Sequence, residues 1–274
     1  MSANATSSCQ SSNNPNAAPG IDKNQTGQAV ICHPDYASQS RGDGLIGQKT
    51  VAAFALGAMV LSLPTGAPAE TVVCSESLVS VTAPNASRAQ SVCTTVMATL
   101  PKLAQCDLRL SHPLSITVLN DLPGVSDTCF GYYVCDGHRI FVRSPGGIAE
   151  ITQLSRLYKD IAPEVVFDSI VVHEVSHAAF EQTACEDALC LANHEYVAYV
   201  MQMWSFPPVV RQKIVEQFGQ DEPVEPIRLN DLIAVIAPEK FAALAWQHFN
   251  QPGNGCDFVR ALVTGNVSLE ILWQ

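Results

Sequence analysis

The sequence has few charged residues, and most of them are acidic. Lysine and arginine number 15 against 26 aspartates and glutamates, which gives a net charge of −11 at pH 7. A nucleic-acid partner requires a basic footprint, so the composition argues against one, and equally against docking on an anionic membrane surface. A negative balance of this size favours a soluble chain that repels its neighbours.

A C-x-x-C pair is missing, although the chain has ten cysteines. This absence argues against a cysteine-based zinc cluster. Eight of the cysteines follow residue 70, and an even number in an exported chain predicts disulfides whose connectivity the sequence does not give. Cys129 with Cys135, and Cys185 with Cys190, are close enough to form small loops.

A long apolar run is also missing. The uncharged stretch VAAFALGAMVLSL at residues 51–63 is shorter than the roughly 20 apolar residues that span a bilayer. Lys49 precedes it and an Ala-Pro-Ala motif at residues 67–69 follows it. A basic flank, a short apolar core and an A-x-A end predict a secretory signal peptide at residues 49–69.

Cleavage after this signal would leave a mature chain of residues 70–274 with no stable membrane insertion. Residues 1–48 are rich in Ser, Asn, Ala and Gly and cannot bury enough apolar surface to fold. They predict either a disordered leader or a true translation start near Leu45. In both cases the protein is expected to be exported, to the periplasm or the cell exterior.

The mature chain has no internal repeat and no long low-complexity linker, which predicts one domain. Strands come first and helices later, so we expect an α+β fold: a small mixed sheet with a β-hairpin, packed on two central helices and followed by a helical C-terminal part. The expected strands cover residues 71–82, 114–119 and a hairpin at 131–142 turning at Asp136-Gly137; the expected helices run from a cap at Asn85 or Ser87 to Leu103, then over 163–182, 191–204, 208–218, 228–236 and 238–249.

The segment VVHEVSHAAFEQ in the first central helix carries an H-E-x-x-H motif at residues 173–177. Residues four apart lie on one face of a helix, so His173 and His177 can bind one zinc ion, the expected cofactor. Glu174 follows the first ligand and is expected to activate the metal-bound water as general base.

Apolar residues surround this motif, which predicts that the helix lies in the core. Two histidines and a glutamate buried there without partners would be costly, and a metal ion supplies a partner. The alternative, a surface helix that happens to carry two histidines, does not explain this apolar setting: Val165, Val166, Ile170, Val171, Val172, Val175, Ala178 and Ala179.

A catalytic zinc usually has three protein ligands and one open position. The continuation H-x-x-G-x-x-H is absent, because Phe180 and Thr183 stand where glycine and histidine would be needed. Glu195 on the second central helix is the preferred third ligand. The alternatives are His194, Asp187, Glu186 and Glu181.

Tyr199 and Gln202 share a helical face with Glu195. Either side chain can hydrogen-bond to the site, and Tyr199 is a candidate catalytic residue that would stabilise a developing oxyanion. The alternative for Tyr199 is a core tyrosine with a satisfied hydroxyl.

The H-E-x-x-H motif followed by Glu195 on a second helix resembles the gluzincin clan of zinc peptidases, and within it small exported bacterial metallopeptidases, over residues 114–203. The resemblance implies that His173, His177 and Glu195 bind zinc and that Glu174 is the base. It also implies that a peptide or protein substrate pairs with an edge strand near the site, for which residues 138–143 are the candidate.

The sequence departs from this clan at the third ligand. Many relatives have a tryptophan and a glycine flanking that glutamate, where this chain has Asn193-His194 and Tyr196-Val197. The expected function is zinc-dependent peptide-bond hydrolysis. The alternatives are a non-catalytic, metal-containing binding module of the cell envelope and a disulfide-stapled structural protein without metal.

Overall fold

The computed structural model describes residues 69–75, 77–184 and 190–270. The expected leader, and the expected signal peptide apart from its last residue, lie outside this part of the chain. No helix within the described ranges is both long enough and apolar enough to span a bilayer.

Five strands form one mixed sheet in the order β1-β2-β3-β5-β4. The inner strands β2, β3 and β5 are parallel, whereas β1 and β4 pair antiparallel at the two edges. The stretch expected as one strand over 71–82 is two strands, because the chain reverses between Cys74 and Val79. The Cys74 backbone N–H donates to the Val79 carbonyl at 2.9 Å across this turn. The strand bounds are Glu70–Val73, Val79–Ala83, Leu114–Leu119, Gly131–Val134 and Arg139–Arg143.

Helix α1, Ala86–Gln105, connects the parallel strands β2 and β3. Asn85 caps it as expected, since its side chain accepts a hydrogen bond from the Arg88 backbone N–H at 2.9 Å. The apolar face of α1, which includes Ala89 and Val92, is buried, and the helix packs on β1, β2 and α3.

Seven further α-helices follow the sheet within the described residues, which confirms the α+β class with a helical C-terminal part. The expected helices are all present within a few residues of their expected ends, whereas neither α2 nor α8 was among them. Their bounds are α2 Pro145–Ile151, α3 Pro163–Glu181, α4 Leu191–Ser205, α5 Pro208–Phe218, α6 Asp231–Ile236, α7 Pro238–Phe249 and α8 Cys256–Val263.

The edge strand β4 lies directly against α3, and Gly131 makes this approach possible. A Cβ atom at Gly131 would come within 2.9 Å of the Ile170 side chain, a distance that real Cβ atoms do not tolerate. Ile170 lies one helical turn before the first motif histidine. The absent side chain therefore sets β4 alongside the motif helix.

Two disulfides fasten α1 to its surroundings. Cys74–Cys93 joins the end of β1 to the middle of α1, and Cys106–Cys256 joins the end of α1 to the start of α8. The second bond closes a sequence separation of 150 residues. These bonds are compatible with an exported protein.

The expected Cys185–Cys190 disulfide is wrong, because Cys190 is a free thiol. Cys190 is half-buried at the start of α4, and its sulfur lies 3.7 Å from the Ser268 hydroxyl oxygen. Cys185 lies outside the described residues. Cys129 and Cys135 are both disulfide-bonded.

Candidate metal centre

Helices α3 and α4 pack against each other and carry the candidate site. Pro163 occupies the first turn of α3, where its missing N–H costs nothing and its fixed φ suits a helix. From Val166 to Phe180 α3 is buried on nearly every side, as the apolar setting of the motif predicts. The motif side chains therefore point into the protein interior.

His173, His177 and Glu195 converge at one point between the two helices. The Nε2 atoms of the two histidines are 2.9 Å apart. The Glu195 carboxylate oxygens lie 3.7 Å from the His173 Nε2 and 3.5 Å from the His177 Nε2. All three side chains are buried.

These separations fit a single bound ion. Ligand atoms that each lie 2.0–2.1 Å from zinc in a tetrahedron are about 3.3 Å from one another, and the two Nε2 atoms here are 2.9 Å apart. One ligand atom from each of the three side chains can be chosen so that all three lie within 4.8 Å of one another. Two imidazoles and one carboxylate also form the donor set of known catalytic zinc sites. Within the described residues, this is the one group of three or more His, Cys, Asp or Glu side chains arranged to hold a metal ion.

The alternative third ligands do not join this group. The His194 ring is 5.9 Å from the His177 ring between centroids, and its Nε2 faces Glu181 at 3.5 Å. Glu181 lies at the end of α3, one turn beyond His177. Glu186 and Asp187 lie outside the described residues.

Glu174 is a further buried carboxyl group close to Glu195. Its side chain is buried, and neither carboxylate oxygen has a hydrogen-bond partner among the described residues. Burial raises the pKa of the Glu174 carboxyl well above its usual range, and the nearby negative charge of Glu195 raises it further. A buried carboxylate without a partner is costly, so its presence calls for an explanation.

Tyr199 packs against His173. Its ring meets the His173 ring edge to face, with centroids 4.7 Å apart. Burial raises the pKa of the Tyr199 hydroxyl well above its usual range, with Glu195 as the next contribution. The hydroxyl therefore stays protonated and can only act as a neutral hydrogen-bond donor or acceptor.

Sequence analysis missed two side chains near His173, those of Ser169 and Tyr158. Gln202, which the helical spacing did indicate, bonds to the His173 ring, to the Tyr158 hydroxyl and to the Ser169 hydroxyl. Ser169 is one helical turn before His173, so the same spacing rule would have found it. Tyr158 comes from an irregular segment, and no sequence pattern indicates its position.

The structure also corrects the prediction that residues 138–143 are an edge strand able to pair with substrate. Within the expected segment 138–143, residues 139–143 form β5, which pairs with β3 on one side and β4 on the other, so its backbone groups are already used. The strand with an open edge in the described part of the chain, next to α3, is β4. The expected strand was wrong because sequence alone does not give the order of strands in a sheet.

Residues 79–272 match the model of a family described as "Family of unknown function (DUF6639)". The chain belongs to this family. Comparison with curated proteins and with solved structures found no match. The matched DUF6639 segment contains all of β2 to α8, and therefore the complete ligand group.

Proposed function

We propose that this DUF6639 protein is an exported zinc-dependent peptidase, as the resemblance to gluzincins implies. The observation that carries the proposal is Glu174, a buried carboxyl group near Glu195 that has no hydrogen-bond partner within the part of the chain that the structure describes. A purely structural metal site needs no further carboxylate of this kind. A hydrolytic site needs a general base there.

Zinc held by His173, His177 and Glu195 would supply a Lewis acid with one position left for water or substrate. Glu174 would accept a proton from the attacking water and later pass it to the leaving amine. The raised pKa of its carboxyl suits a group that must take up a proton and hold it between the two steps. The neutral Tyr199 hydroxyl would donate a hydrogen bond to the developing oxyanion.

A peptide substrate would bind along β4. The Arg143 backbone N–H donates to the Phe130 carbonyl at 2.8 Å, and bonding alternates along an antiparallel ladder. Gly131 and Tyr133 therefore direct their backbone N–H and C=O groups away from β5, toward the open edge. An extended peptide can add a strand at that edge, and β4 runs beside α3, which carries the motif.

The alternative functions lack an observation of their own. A non-catalytic binding module would retain the ligands but leaves the buried Glu174 carboxylate unexplained. A metal-free structural protein would bury two histidines and two glutamates in one place for no compensating gain. The two disulfides are compatible with a location in the periplasm or at the cell exterior, and we propose that location for the enzyme.

The test combines metal analysis with digestion of a broad peptide library. We expect about one zinc per chain and peptide cleavage, and we expect Glu174→Gln to retain the zinc while turnover falls about 10²–10⁴-fold. Glu164→Gln is the matched control, because Glu164 is an exposed glutamate on the same helix. It should retain both zinc and activity.

Two results would reject the proposal. Full activity in zinc-loaded Glu174→Gln would remove the general base from the mechanism. Purified protein that neither contains nor takes up zinc would favour the metal-free alternative.

A further inference from the structure

A buried hydrogen-bond network joins the first ligand to α4 and to the start of α3. Gln202 is completely buried. Its Oε1 lies 3.2 Å from the His173 Nδ1, and its Nε2 donates to the Tyr158 hydroxyl at 2.8 Å and to the Ser169 hydroxyl at 3.1 Å. All polar atoms of this amide side chain are therefore used.

Ser169 fixes which end of the amide faces which neighbour. Its hydroxyl donates its one proton to the Val166 carbonyl at 2.7 Å, so toward Gln202 it can only accept a hydrogen bond. Only the NH₂ end of Gln202 can donate to it. The carbonyl end of the amide must then face His173.

This orientation determines the tautomer of His173. An amide oxygen has no proton to donate, so the contact with His173 requires an N–H at Nδ1. A neutral imidazole has one N–H, which leaves the Nε2 atom with a lone pair. Nε2 is the atom that faces His177 and Glu195.

We propose that Gln202 is a positioning residue that locks His173 in the Nδ1–H tautomer with its Nε2 lone pair aimed at the metal. This inference rests on the proposed metal site but not on peptidase activity. The opposite amide orientation would place an NH₂ group against Nδ1, favour a proton on Nε2 and block coordination. The Ser169 and Val166 contacts exclude that orientation.

The partner of His173 is an electrically neutral side chain. Zinc-bound histidines often donate their second N–H to a carboxylate, whereas here the acceptor is an amide. Glu174, Glu195 and Glu239 are buried carboxyl groups whose charges all act on Tyr158 and Tyr199 in this region. A neutral amide orients the His173 ring without adding a further negative charge.

The first experiment measures the tautomer directly in the metal-free wild-type chain. Long-range ¹H–¹⁵N NMR spectra distinguish Nδ1–H from Nε2–H histidine, and His173→Gln identifies the signal among the seven histidines. We expect the Nδ1–H pattern for His173. An Nε2–H pattern would overturn the proposal without requiring any Gln202 variant to fold.

The second experiment measures zinc affinity by competition with a chelator. Gln202→Leu removes the acceptor at similar volume and should weaken zinc binding about 10–100-fold, the usual effect of losing such a partner. Gln202→Glu restores an acceptor for Nδ1–H and should bring affinity back to within a few-fold of wild type. Ser169→Ala removes the contact that orients the amide and should weaken binding by less than Gln202→Leu.

Circular dichroism and thermal unfolding confirm that each variant is folded. A folded Gln202→Leu chain that binds zinc as tightly as wild type would refute the positioning role. Failure of the peptidase proposal would look different, because zinc binding and the His173 tautomer would be as expected while the peptide library remained uncut.

Discussion

Replacing Glu174 with methionine should stabilise the metal-free protein even as it abolishes catalysis. Methionine has a similar length and adapts its shape to a buried site. It removes two carboxylate oxygens that have no hydrogen-bond partner among the described residues. The substitution therefore separates the effect of Glu174 on folding stability from its effect on catalysis.

The expected gain follows from burial. An unsatisfied buried polar group costs about 1–3 kcal/mol, and more if it is charged. A chain of this size shifts its melting temperature by about 2–4 °C per kcal/mol. We therefore expect metal-free Glu174→Met to unfold about 2–12 °C above wild type.

The pH dependence has a definite sign. The pKa of the Glu174 carboxyl is near its ordinary value of 4.5 in the unfolded chain and is raised in the folded protein by burial and by Glu195. The folded state therefore binds more protons, so wild-type stability falls as the pH rises above about 4.5 toward the raised pKa. Glu174→Met does not lose stability in this way, so its free energy of unfolding should exceed that of wild type by a margin that grows as the pH rises.

Differential scanning calorimetry in the presence of a chelator, at pH values from about 4 to 8, measures this difference. Glu150→Met is the control, because Glu150 is an exposed glutamate on α2 and should change stability by less than about 0.5 kcal/mol. A Glu174→Met protein that is less stable than wild type throughout, or whose advantage does not change with pH, would refute the reasoning.

Two further predictions concern the third ligand and the longer disulfide. Glu195→Ala should weaken zinc binding by more than about 100-fold, because losing a residue that only hydrogen-bonds to a zinc ligand already lowers zinc affinity about 10–100-fold. Chelator competition measures the affinity, and an unchanged value would remove Glu195 from the site. Replacing both Cys106 and Cys256 with serine should lower the free energy of unfolding by about 2–4 kcal/mol, because the bond closes a long loop. Denaturant unfolding measures the change, and a loss below 0.5 kcal/mol would contradict the expected role.

Local sequence patterns were sufficient for much of the fold. Asn85 caps α1 as its side-chain chemistry predicts, and Asp136-Gly137 connects the two strands of the hairpin. Helices α3 and α4 begin at, or within one residue of, the expected positions. Capping, turn formation and helical periodicity act between residues a few positions apart, so the sequence contains all the information they need.

Contacts between distant segments were less predictable. The expectation of one strand over residues 71–82 missed a chain reversal, and the pairing of Cys185 with Cys190 was wrong. The choice of 138–143 as a substrate strand failed for the same reason. Strand order and disulfide pairing depend on which segments meet in space, and no local pattern encodes that.

The candidate metal centre likewise combines features that follow from the local sequence with features that depend on tertiary contacts. The sequence alone determined that His173 and His177 share one helical face, because residues four apart always do. Only the tertiary structure decided between the adjacent residues His194 and Glu195, since neighbours on a helix point about 100° apart and the packing of α4 on α3 turns one of them inward. The tertiary structure also brought Tyr158 to the site, because that contact joins segments that no helical period relates.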